Sequence, residues 1–194
     1  MNGVKDIDWK PLALVPLLAL IVLPFIGSGS TWVTLTVAGL AMGMIIFIIA
    51  SGLTLVFGLM DVMNFGHGIF ITLGAFIATS VLAGMGDWTA SGELWRNLLA
   101  VLPAMLVAML VASAGGLAFE RFIVRPVYGN HLKQILITVG GAIIGEELIK
   151  VIWGPLQVPL PLPAGMRGTI FLGEAAIEKY RVIAVVVGLA VFGL

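Results

Sequence analysis

An all-α integral membrane protein, a polytopic helical bundle of about five to six transmembrane helices, is the fold class this sequence predicts. Three observations carry it. The 194 residues are 60% hydrophobic and only 10% charged, against roughly 25% charged residues in an ordinary soluble domain. The mean hydropathy is +1.16. The apolar residues gather into runs long enough for a bilayer, parted by short polar segments. The chain reads as a single transmembrane domain over residues 1–194. Its formal net charge is +0, which leaves no electrostatic case for nucleic acid. Cysteine is absent, which excludes disulfides, thiolate metal sites and a cysteine nucleophile.

The first apolar run, 12–26, contains Pro16 and Pro24 and predicts a short, kinked helix. Lys5, Asp6, Asp8 and Lys10 precede it. The two aspartates, with no small-x-small cleavage site after them, argue for an uncleaved helix rather than a signal peptide. The second run, 33–60, holds 28 residues without a charge. As a helix it measures about 42 Å, against a hydrocarbon core of about 30 Å. It must tilt, protrude or break, and Ser51-Gly52 is the expected weak point, because small residues mark kinks and close helix contacts. Further helices are predicted over 65–83, 98–119 and 134–153, the last stopped by Gly154-Pro155. The run 182–194 has only 13 residues, too few to cross, so the chain is expected to be an N-terminal part of a longer protein, incomplete at its C-terminus.

Basic residues set the orientation. If every span crosses, Lys5, Lys10, Arg121, Arg125 and Lys133 fall on one side and Arg96, Arg167 and Lys179 on the other. Five against three puts the N-terminus in the cytoplasm. The segment 154–180 then lies outside. With Pro155, Pro159, Pro161 and Pro163, it is expected to be an extended, stiff crossing over the bundle mouth.

One polar island, Asp61-Val62-Met63-Asn64-Phe65-Gly66-His67-Gly68, separates the second and third runs. Polar groups are costly in lipid, so an island there lines a path or holds a break in a helix, and the class narrows to a permease. Asp61 is badly placed at the negative end of the preceding helix and fits better as a cap for the next. Asn64 suits the same role, accepting an N–H two or three residues on. Gly66 and Gly68 admit a close backbone. His67 is the one ring that could hydrogen-bond or titrate. On a helix, Asp61, Asn64 and Gly68 would share a face with His67 beside it, continuing to Thr72, Gly74 and Ala75. Two readings stand. In one, Asp61, Asn64, Gly66, His67 and Gly68 line a substrate path where a helix start faces a passing carboxylate. In the other, a tight glycine corner satisfies its own polar groups. No metal site is expected: His67 and one carboxylate are too few ligands, and His131 lies in a distant loop.

The segment from Gly52-Leu53-Thr54-Leu55-Val56-Phe57-Gly58 through Asp61 to Gly68, followed by Leu73-Gly74-Ala75-Phe76, resembles the signature of LivH-type permeases. Those are membrane subunits of ABC importers for branched-chain amino acids. Gly66 stands where the family usually has alanine, and Phe57 and Phe76 stand for tyrosines. Glu120-Arg121-Phe122, with Arg125-Pro126, is similar to the family's basic loop, and Ile135-Leu136-Ile137-Thr138-Val139-Gly140 to the entry of its fifth span. The resemblance implies an inner-membrane, multi-pass subunit and favours the path reading of the island. It implies as partners a second, related permease, two cytoplasmic ATPase subunits and an extracytoplasmic solute-binding protein, besides membrane lipid. It also places the ATPase-docking loop beyond residue 194. Nothing in the chain resembles a phosphate loop, so no cofactor is expected here and ATP binds to the partners.

Glu146, Glu147 and Lys150 are intramembrane polar residues of the fifth run. Glu146 and Lys150 are four apart, acid first, the favoured order for a helical pair. They read as a pathway wall or subunit interface, or as an ion pair near the outer surface with Lys150 snorkelling beside Trp153. Arg121, Arg125 and Lys133 read as inside anchors. Urea or a short-chain amide is the alternative solute. An intramembrane enzyme built on His67 with Ser51 or Asp61 lacks a nucleophile elbow, so no catalytic residue is assigned. A passive channel is the remaining alternative.

Overall fold

The computed structural model describes residues 9–193, with side chains from Ala13 onward. Lys5, Asp6 and Asp8 lie outside the described residues, as do the side chain of Lys10 and Leu194. The predicted class holds. The chain is mostly helix, with one small hairpin. Among the described residues, three helices are long and apolar enough to cross a membrane, Gly29–Met60, His67–Gly84 and Leu94–Val127, and Ala13–Ile26 is a shorter apolar one. The chain divides into two compact units, Met1–Ile46 with Gly168–Leu194, and Phe47–Arg167.

In the first unit, α1 (Trp9–Ile26) carries Pro16 and Pro24. Gly27 adopts φ +69° and reverses the chain into α2 (Gly29–Met60). The Trp32 indole N–H donates to the Ala19 carbonyl at 2.6 Å and ties the two helices together. The segment expected as one stiff crossing is free of regular structure only up to Pro163. Beyond it, β1 (Thr169–Leu172) and β2 (Ala175–Glu178) pair antiparallel, with Ile170 opposite Ile177. The missed signal is a run of bulky residues, Thr169 to Leu172, ended by Gly173 at φ +63°. Ala175 and Ile177 are buried and β1 is exposed. Then α7 (Lys179–Phe192) follows, and its Gly188 lies so close to Met44 that no Cβ would fit.

The second unit is built on α3 (His67–Gly84) and α5 (Leu94–Phe119), joined through the four-residue α4 (Gly86–Thr89). The two helices run antiparallel. Leu82 packs on Ala100 and Ala104 at one end, and Phe70 stacks edge-on against Phe119 at the other, 5.5 Å between centroids. Small residues on α5 let the helices approach closely. Asn97 is fully buried. Its Nδ2 donates to the Trp88 and Ser91 carbonyls, and its Oδ1 accepts the Gly165 N–H at 2.7 Å, which fixes this corner.

After α5 the chain widens through one π turn (Glu120–Val124) and tightens through one 3-10 turn (Arg125–Val127) before α6 (His131–Trp153). Asn130 caps α6 by accepting the Lys133 N–H at 3.0 Å. α6 runs parallel to α3. Gly141 faces the Phe119 ring, Gly145 faces Ile69, Trp153 meets Phe76 at 5.3 Å, and its indole N–H donates to Ser80 Oγ. Because α6 accompanies α3 along its length, it shares the depth of a helix fit to span. α2 stays helical across Ser51-Gly52, the expected weak point. The Ser51 and Thr54 hydroxyls donate to the Ile48 and Ala50 carbonyls of their own helix. Of the two things small residues mark, a kink or a close contact, Gly52 marks a close contact.

Candidate functional site

The polar island is the link between α2 and α3, and residues 61–66 are not helical. The shared helical face expected for Asp61, Asn64 and Gly68 therefore does not form. Asp61 directly follows α2 at φ +52°, the one non-glycine residue with positive φ among those described. Its N–H still donates to the Phe57 carbonyl. Asp61 does not cap α3, as the sequence led us to expect. The chain needs a left-handed residue to leave α2, and aspartate tolerates that conformation better than most residues. Its carboxylate points outward, 3.8 Å from His131 Nε2. Asn64 does not cap α3 either, because the helix has Gly66 at its N-cap and no side-chain bond there; its Oδ1 accepts the Gly66 N–H, two residues on, at 3.0 Å, and closes a turn in the link.

The extended stretch is fastened to α6 by two side chains that sequence reasoning gave no role. Gln134 Oε1 accepts the Met63 N–H at 3.1 Å. Thr138 Oγ1 accepts the Phe65 N–H at 3.1 Å, while its own hydroxyl donates to the Gln134 carbonyl at 2.7 Å. Both side chains are buried. Irregular backbone at membrane depth is tolerated only where protein or water satisfies its polar groups, and here α6 does so. A Cβ on Gly66 would stand 3.0 Å from the Thr138 carbonyl, so a bare α-carbon is what lets the two backbones meet. Gln134 and Thr138 are four apart on one face of an apolar helix. That spacing was a signal, because two polar side chains on one face of such a helix need partners.

α3 begins at His67, level with Thr138, which lies seven residues into α6. At about 1.5 Å per residue the start of α3 stands roughly 10 Å inside the bundle. The His67 ring lies over Gly52, where a Cβ would come within 3.0 Å of Nε2. A cleft of about 320 Å³ opens beside the break, walled by Leu53, Phe57, Val62 and Phe65, with Thr54 and Asn64 at its edge. The arrangement offers apolar walls next to the positive end of a helix dipole. Asn64, Gly66 and His67 are thus brought together, Gly68 faces open space, and Asp61 stands apart.

Glu146, Glu147 and Lys150 do not join this site. The Lys150 ammonium lies 3.0 Å from Glu146 and 2.9 Å from Glu147, and all three side chains are substantially exposed. At about 100° per residue they occupy the side of α6 away from Gly141, Gly145 and Ile149.

Residues 35–192 match the family described as the permease component of the branched-chain amino acid transport system. The high-affinity branched-chain amino acid transport permease BraD of Pseudomonas aeruginosa is 31% identical over 168 residues, 81% of this chain and 52% of BraD. The corresponding permease LivH of Salmonella typhimurium is 29% identical over 127 residues, 63% of this chain and 39% of LivH. LivH of Escherichia coli matches to the same extent. The chain therefore spans about half the length of BraD, and less of LivH. No solved structure matches it.

Proposed function

Because the chain belongs to the branched-chain amino acid transport permease family, we propose that it is a transmembrane subunit of an ATP-driven importer and forms part of the route for leucine, isoleucine or valine. It acts by binding and moving a solute, not by catalysis. It lies in the inner membrane with its N-terminus in the cytoplasm. Its partners are a second, related permease, two cytoplasmic ATPase subunits that bind the ATP, and an extracytoplasmic solute-binding protein. The observation that carries this reading is a helix start held inside the bundle, within a chain whose family match covers residues 35–192.

In this reading Asn64, Gly66, His67 and Gly68 border the route, and Asp61 stands at its cytoplasmic edge. The first turn of α3 turns its positive dipole end toward a solute carboxylate, and the apolar cleft accepts a branched aliphatic side chain. The test is uptake of radiolabelled leucine and of urea by the full-length chain assembled with its partner subunits. Leucine uptake falls about ten-fold or more in Asn64→Ala and in His67→Ala, with subunit assembly unchanged. Urea uptake without leucine uptake would replace the solute. Undiminished leucine uptake in both variants would remove these residues from the route.

A further inference from the structure

We propose that the outward face of α6, centred on Glu146, Glu147 and Lys150, is the seam against the second permease subunit, and that this partner presents a lysine or arginine at the same depth. The proposal rests on the importer reading and adds where that partner docks and by what chemistry.

Depth is the first argument. Gly145 sits against Ile69 and Trp153 against Phe76 and Ser80, so Glu146 and Glu147 are level with the first turns of α3. They stand seven and six residues before Trp153, about 9–11 Å inside that end of the helix. Their side chains are 63% and 65% exposed. Carboxylates at that depth do not face hydrocarbon; they face protein or water.

The rest of the face favours protein. Leu136, Val139 and Ile143 lie on the same side of α6 and are all exposed. A water-filled route would carry polar groups along its length, whereas this stripe is apolar for two turns and then ends in one charged cluster. That is the pattern of a helix–helix seam with a polar clasp. The clasp has a sign. One ammonium serves two carboxylates at 3.0 and 2.9 Å, so the cluster carries formally one more negative charge than positive. A second copy in the same orientation would bring like charge to like charge. A cationic side chain from a different helix completes the cluster.

The sequence has no cysteine, so Ile143→Cys gives a lone thiol in the middle of the face. The full-length chain is assembled with its partner subunits in membranes, and a thiol-linked benzophenone at that position is photolysed. The expected adduct is with the second permease. Adducts confined to phospholipid, to a second copy of this chain or to another segment of the same chain would overturn the seam, as would free labelling by a water-soluble maleimide in the assembled complex. Glu147→Lys should lower the yield of co-purified second permease about ten-fold, with Glu147→Gln between it and the parent. An unchanged yield in both would remove the charge clasp, and if Glu147→Lys does not insert, the Ile143→Cys adduct decides. Leucine uptake is measured on the same membranes. Uptake without the adduct sinks the seam and leaves the transport reading standing; the adduct without uptake supports the seam and sinks the solute assignment.

Discussion

Thr138 has one hydroxyl and two tasks. It accepts the Phe65 N–H from the break and donates to the Gln134 carbonyl of its own helix. Replacing it with valine keeps the volume and strands a half-buried amide, at a cost of about 1–3 kcal/mol. Thr138→Val should therefore lower the unfolding midpoint in detergent, and Thr138→Ser should recover most of the loss. Equal midpoints for valine and threonine would mean the amide has another partner. The Asn64 bond could be read from the sequence because it is local, spanning two residues, although it closes a turn rather than capping α3. The roles of Gln134 and Thr138 could not be assigned, because their partners lie 71 and 73 positions away. Asp61 was misread for a related reason: whether a residue ends one helix or begins the next depends on where the chain turns, and that is set by α6.

Among the elements, helix existence was legible and helix contact was not. Long, mostly apolar runs predicted every long helix, since backbone groups in lipid must be satisfied within the segment. The hairpin β1–β2 was hidden behind the prolines that precede it. The glycines of α6 show the limit well. Gly141 and Gly145 are four apart, a spacing that permits close packing, but only the coordinates reveal that Phe119 and Ile69 occupy the space. Gly141→Val drives a side chain into the Phe119 ring and should cost about 1–3 kcal/mol. Phe119→Leu should be mildly destabilising alone and should restore much of the loss in the double variant. A double-mutant cycle without coupling would separate these two residues.

At the scale of the whole molecule, composition alone decided the membrane class, and three helices long and apolar enough to cross agree with it. Orientation rests on the lysine and arginine count, and α6 makes it testable, because the chain entering a crossing helix and the chain leaving it are on opposite sides of the membrane. Glu174, in the hairpin turn, is exposed, as is Lys133 at the start of α6. In the cysteine-free chain, Glu174→Cys should react with an impermeant thiol reagent in intact spheroplasts, and Lys133→Cys only after permeabilisation. The reverse pattern would invert the protein in the membrane.

The two bonds between the break and α6 also restrict how these parts can move. A slip of α6 by one turn in one direction would set Ala142 against the Phe65 amide, with nothing to accept it. A slip in the other would set Asn130 against the Met63 amide, and accepting there would take its side chain from the Lys133 N–H that it caps. Either costs about 1–3 kcal/mol for each stranded group, whereas rotation about the two bonds leaves both intact. The junction is thus a pivot: α6 can rock against the start of α3 cheaply, but it cannot slide.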